Sequence, residues 1–190
     1  NPLLTITNPN FLQNTGAVQL FNSQSGDPIT QPFPSTSVQY PVEGRQQSAY
    51  GHSERVGMRN VLDTMMKPTA QMGLGRGSSG ELEHPSHDTY QRLGSHRLGS
   101  HNDKQLEILR HLTMHAPAYK DYLKSQDAIV KMWSERQDCD NSKAPGGHCG
   151  QFLTDIMPEG SHYGYLVPRR GDYYNIQDQS DLLKKGYLNY

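Results

Sequence analysis

From residue 71 to residue 103 the chain carries no sustained apolar pattern. The stretch holds Gly73, Gly75, Gly77 and Gly80, scattered serines, and a pentapeptide that occurs in tandem. The two copies are Arg92-Leu93-Gly94-Ser95-His96 and Arg97-Leu98-Gly99-Ser100-His101. A five-residue unit in two copies builds no repeat architecture, which needs longer units and at least three of them. The composition is that of a flexible surface loop, in which nothing holds His84, His87, His96 and His101 in ligand geometry. A second breaker-rich stretch, residues 1–47, contains Pro2, Pro9, Pro28, Pro32, Pro34 and Pro41. Core-forming sequence is thereby confined to the rest of the chain. The apolar share of 33% is below the roughly 45–50% of an average domain counted with its glycines, and the deficit is local to these two stretches.

The remaining segments alternate in period. Met58, Val61, Leu62, Met65 and Met66 fall at helical spacing and Pro68 stops the run, which predicts a helix over 53–66 with His52 and Glu54 at its start. Asp103 opens a helical stretch with Leu106, Leu109 and Leu112 on one face, and Pro117 kinks it or starts a second helix carrying Tyr119, Tyr122 and Leu123. Ala128-Ile129-Val130-Lys131-Met132-Trp133 reads as a buried strand ending at Ser134. Phe152, Leu153, Ile156 and Met157 fit a short helix, 163–167 a strand, and 181–188 a closing helix. Within the N-terminal stretch only 17–21 and 37–40 look like strands, so that region is expected to be an extended leader that wraps a core or docks on a partner. Strands alternating with helices predict an α/β layer architecture.

Lys plus Arg number 18 and Asp plus Glu 19, a net charge of −1, which excludes a broadly basic protein. Residues 91–137 carry a local basic excess that, with Arg169 and Arg170, suits either a modest phosphate-contacting patch or a solvated helix face. No apolar run is long enough to cross a bilayer, and no signal peptide opens the segment. The absence of an initiator Met agrees with release from a larger precursor.

Two cysteines exclude a disulfide-rich scaffold. Cys139 and Cys149, together with His52, supply a histidine and two thiolates, and a catalytic zinc site uses three protein ligands and keeps one position for water. Glu54, two residues from His52, suits the role of proton shuttle for that water. Spacing alone leaves open a disulfide between Cys139 and Cys149, two unrelated thiols, or His148 in place of His52 as the ligand.

His52-Ser53-Glu54 before an amphipathic helix, a strand running into Trp133-Ser134-Glu135-Arg136-Gln137-Asp138-Cys139, and then Cys149-Gly150-Gln151-Phe152-Leu153 together carry a resemblance. The pattern is similar to the zinc-dependent cytidine deaminase-like superfamily, whose signature is H-x-E followed by P-C-x-x-C. The closer likeness is to the deaminase domains of bacterial polymorphic toxins, at the C-termini of Rhs/YD-repeat and contact-dependent delivery proteins. It covers about residues 38–190. Asp138 stands where the pattern has Pro, nine residues rather than two separate the cysteines, and the gap from Glu54 to Cys139 is unusually long.

The resemblance implies a three-layer α/β fold with a mixed central sheet flanked by helices. Residues 1–37 would form a leader or linker and 38–190 a catalytic domain with an insertion at about 68–125. His52, Cys139 and Cys149 would bind one zinc ion and Glu54 would be the general acid/base, deaminating cytosine, or alternatively adenine or a free nucleoside. Tyr50, Trp133 and Ser134 are candidates for substrate contact, although an aromatic in a strand is more often core than platform. A single-stranded or base-flipped nucleic acid is the expected substrate, DNA before RNA, and an immunity protein the expected partner. The domain would be a monomeric effector, secreted or injected, that acts in a target cell's cytoplasm. A non-enzymatic module with a Cys139–Cys149 disulfide is the alternative of a different class.

Overall fold

The computed structural model describes residues 14–38, 40–41, 47–66, 101–139 and 146–167, and all that follows concerns these. In chain order they form β1 (Gly16–Asn22), β2 (Phe33–Pro34), β3 (Tyr40–Pro41), β4 (Gln47–Ser48), α1 (Ser53–Leu62), α2 (His101–Met114), α3 (Ala116–Ser125), β5 (Ala128–Arg136), α4 (Cys149–Ile156) and β6 (His162–Val167). A four-stranded sheet has the order β2-β1-β5-β6, and β3 with β4 forms a separate two-stranded ribbon. The larger sheet is mixed: β1 is antiparallel to β2 and to β5, whereas β5 and β6 run parallel. Parallel neighbours need a crossover, and α4 supplies it. The protein is therefore a mixed α/β fold.

Part of the stretch expected to be an extended leader, residues 1–37, joins the sheet. Gly16 to Asn22 pair residue for residue with Ser134 to Ala128, so β1 is an inner strand of the sheet. The reason is the alternation Val18, Leu20 against Ala17, Gln19. Val18 and Leu20 are fully buried on the face that carries Val130 and Met132 of β5, a burial worth about 1.5–3 kcal/mol for each large apolar side chain.

All four helices send side chains into this one cluster: Met58, Val61 and Leu62 from α1, Leu112 from α2, Tyr119 and Leu123 from α3, Phe152, Leu153 and Ile156 from α4. The alternate positions Ala17, Lys131 and Trp133 are exposed. Among the described residues helices thus cover one face of the sheet, not the two that a three-layer arrangement requires. The helix expected at 181–188, residues 71–100 of the loop expected at 71–103, and residues 1–13 lie outside the described residues, and α2 begins at His101, inside the expected loop.

Local chemistry explains the boundaries. Helix α1 is shorter than expected, stopping at Leu62, and the Thr64 hydroxyl donates to the Val61 carbonyl at 2.7 Å. Pro117 occupies the first turn of α3, where a missing N–H costs nothing, so it starts a helix rather than kinking one. Gly57 lets α1 lie close on the sheet: a Cβ there would sit 2.7 Å from the Ser35 Cβ and 3.3 Å from side-chain atoms of Val18 and Met132. This close approach sets the N-terminal end of α1 beside the end of β5. Among the described residues no helix is long and apolar enough to cross a membrane.

Candidate metal centre

Three chain segments converge at the ends of α1, β5 and α4. His52 is the N-cap of α1, reached through a single 3-10 turn at Ala49–Gly51. Cys139 follows three residues after the end of β5, and Cys149 is the first residue of α4. The Cys149 N–H donates to the Cys139 carbonyl at 3.0 Å, which pins the two cysteines backbone to backbone. His148, the N-cap of α4, adopts a left-handed conformation (φ 64°, ψ 52°), uncommon for a residue with a side chain and a mark of local strain.

The ligand atoms lie close together. His52 Nδ1 is 3.3 Å from each sulfur, and the two Sγ atoms are 2.8 Å apart. Both thiols are free. The group is half-buried at His52 and Cys139 and buried at Cys149. His52, Cys139 and Cys149 can thus hold a metal ion, and the nitrogen facing the sulfurs is Nδ1. His148 is exposed and outside this group.

Electrostatics within the cluster are those of a shared proton. The hydrogen bond from Cys149, helped by His52, holds the Cys139 thiol far below its usual value, whereas Cys149, on the donor side of that bond and buried, is pushed well above it. Burial works against a charged His52, but its hydrogen bond and attraction to Cys139 outweigh that and raise it. Glu54 is buried in the first turn of α1, and desolvation raises its carboxyl. One carboxylate oxygen has the Ser53 hydroxyl at 3.4 Å and the other the Tyr163 hydroxyl at 3.4 Å.

Arg55 is the residue that sequence reasoning missed. It is only 1% exposed, yet its partners are carbonyls, a hydroxyl and a sulfur rather than a carboxylate. The guanidinium donates to Thr113 Oγ1 at 2.8 Å, the Ala49 carbonyl at 3.2 Å, Cys149 Sγ at 3.3 Å and the Gly147 carbonyl at 3.4 Å, and it lies over the Phe152 ring. One side chain thereby ties α1, α2, the 3-10 turn and the start of α4 to the metal centre. In sequence it looks like any polar residue in a helix's first turn.

The three residues expected to touch substrate take different places, and the Ser134 hydroxyl lies 3.4 Å from that of Ser53, the neighbour of Glu54. Ser134 is 1% exposed, and its hydroxyl receives the Asn14 side-chain amide at 2.7 Å; the same amide donates to Ser53 at 2.8 Å. Trp133, adjacent in β5, points to the opposite face of the sheet from Ser134 and so away from the cluster. Tyr50 is half-buried, packed against the Arg55 and Arg110 guanidinium groups and the backbone of Gly146. The aromatic that does reach the centre is Tyr163 of β6. It also lines an open cleft of about 1320 Å³ between β6, α4 and the end of β5, along with Asp138, His148, Gln151, Leu153 and Met157.

Fold and site together define a mixed α/β protein with a His-Cys-Cys group able to hold a metal ion beside a buried carboxylate. Comparison with protein-family models, curated proteins and solved structures finds no match.

Proposed function

We propose that the chain is a zinc-dependent hydrolytic deaminase of a nucleobase, converting cytosine to uracil in nucleic acid, with DNA favoured over RNA. The observation that carries this reading is the convergence of His52, Cys139 and Cys149 next to the buried Glu54 carboxylate. The donor set fits zinc. Two thiolates and an imidazole suit a borderline-soft cation, and three protein ligands leave one position open. Tetrahedral zinc spaces such donors by roughly 3.5–3.8 Å, so loading has only to spread the group from its observed 2.8–3.3 Å. Zinc bound there would supply a water acidified to near neutrality.

The chain's own groups do the rest. Glu54 takes one proton of the attacking water at a carboxylate oxygen and delivers it to the ring nitrogen of the base, then takes the second proton, from the hydroxyl now on the base, and delivers it to the departing amino group. A buried carboxyl whose proton is held more tightly than usual suits this two-way traffic. The Ser53 and Tyr163 hydroxyls flank it, one at each oxygen, the Tyr163 O–H being shared with the Arg136 carbonyl at 3.0 Å. The cleft beside Tyr163 is the approach for a base out of its stack. By resemblance, the domain is a monomeric bacterial toxin effector, secreted or injected, that acts in the cytoplasm of a target cell and is restrained by an immunity protein in the cell that makes it.

The test is incubation of single-stranded DNA, duplex DNA, RNA and free nucleosides with wild type and with Glu54→Ala. Replacement of an amino group by oxygen adds about 1 Da, seen by mass spectrometry with wild type alone. Conversion of adenine, or of free nucleosides only, would redirect the substrate assignment. No conversion of any substrate by zinc-loaded protein refutes the activity.

A further inference from the structure

The same two sulfurs that complete the metal centre also meet the geometric demands of a covalent bond to each other. Cys139 and Cys149 are free, their Sγ atoms touch at 2.8 Å, and the hydrogen bond from the Cys149 N–H to the Cys139 carbonyl holds the two residues face to face. A disulfide needs its sulfurs at about 2.03–2.05 Å, so bonding requires a closure of under 1 Å at the ends of two short side chains. Cys139 is half-buried, whereas Cys149 is buried. That asymmetry separates an attacking thiol from a resolving one.

We propose that Cys139 and Cys149 form a reversible modification site, a disulfide that excludes the metal, made and broken by exchange with low-molecular-weight disulfides and thiols. The Cys139 sulfur attacks one sulfur of a small disulfide, and one small thiol leaves. The Cys149 sulfur then attacks the Cys139 sulfur of the mixed disulfide, and the second small thiol leaves. Two electrons pass from the protein pair to the small disulfide, and the two protein thiol protons end on the two small thiols. The product has lost both thiolate donors, and His52 alone cannot hold the ion. Metal-loaded and disulfide forms are two exclusive states of one site. An oxidising milieu stores the chain without metal, and a reducing one opens the centre to zinc. The metal half of this inference rests on the proposed function; the disulfide half does not.

The experiment uses the full chain, reduced and freed of metal, exposed to oxidised glutathione. Intact mass, thiol alkylation and zinc uptake are measured before and after, and again after dithiothreitol. The site predicts a chain lighter by about 2 Da, both cysteines protected from alkylation, zinc uptake abolished, and full recovery on reduction; Cys139→Ser gives no internal disulfide. A chain that stays reduced, that stops at a stable glutathione adduct, that links to a second chain, or that still takes up zinc when oxidised overturns the proposal. A reduced chain that binds no zinc counts against the metal centre and with it the claim of exclusion, while the mass readout still decides whether the disulfide forms.

Discussion

Arg55→Met puts the largest predicted strain on the architecture around the centre. Methionine is of similar length and apolar, so it fills much of the space, but it donates nothing. The Ala49 carbonyl, the Gly147 carbonyl and the Thr113 hydroxyl each lose a donor, and Cys149 loses the N–H that points at its sulfur. The Ala49 carbonyl keeps the His52 N–H at 3.1 Å and the Thr113 hydroxyl keeps its bond to the Leu109 carbonyl at 2.9 Å, so neither is orphaned. Four lost hydrogen bonds at about 0.5–1.5 kcal/mol each, less what is regained by no longer burying a guanidinium, leave a net loss of about 1–3 kcal/mol. With a urea dependence of about 1–3 kcal/mol per molar for a small protein, the midpoint of unfolding falls by roughly 0.5–1.5 M. The assay is urea denaturation of the reduced, metal-free chain followed by far-UV circular dichroism, so that loss of metal does not enter the comparison. Arg55→Lys, which restores one donor and the charge, is expected between the two. A midpoint for Arg55→Met within about 0.3 M of wild type, a change well inside the range expected of a surface substitution, would refute the idea that this side chain holds the centre's elements together.

Gly57→Ala forces a methyl group against the Ser35 Cβ and lifts α1 from the sheet; a loss of about 1–3 kcal/mol is expected by the same denaturation assay. Asn14→Ala strips the amide from both Ser53 and Ser134, so stability falls by about 1–2 kcal/mol while zinc content stays unchanged by metal analysis. Trp133→Ser, on the opposite face, leaves zinc content and deamination at wild-type values. Zinc uptake releases protons: in the metal-free chain the hydrogen bond to the Cys139 sulfur, helped by burial, keeps Cys149 protonated, and His52 holds its proton more tightly than a free imidazole. Metal and proton compete for these atoms, so zinc affinity weakens as pH falls and strengthens as pH rises, tenfold per unit for each proton displaced. Titration calorimetry in buffers of different ionisation heat counts those protons.

How much of this was legible in the sequence depended on residue rarity. With two cysteines in the chain, Cys139 and Cys149 had few roles to choose from, and His52-Ser53-Glu54 at the head of an amphipathic run drew attention for the same reason. The 128–136 and 162–167 strands and all four described helices were readable because each keeps one period for several residues. The membership of β1 in the sheet was not readable. Its partner lies more than a hundred residues away, and the prolines around it resemble those of an unstructured leader. Burial of Arg55 was equally invisible, since its partners are backbone carbonyls and a sulfur brought in by other elements. Trp133 shows the limit from the other side: nearness in sequence to a ligand says nothing of which face a strand residue takes, and Trp133 is exposed while its neighbour Ser134 is buried.

The central claim is that His52, Cys139 and Cys149 form a zinc centre with Glu54 beside the metal and off it. The most direct measurement is zinc content, by plasma mass spectrometry, of the purified reduced chain and of its Cys139→Ala and Glu54→Ala variants. The centre predicts about one zinc per chain in wild type and in Glu54→Ala and almost none in Cys139→Ala. A wild-type chain without zinc, or a Cys139→Ala chain that keeps it undiminished, would contradict the claim.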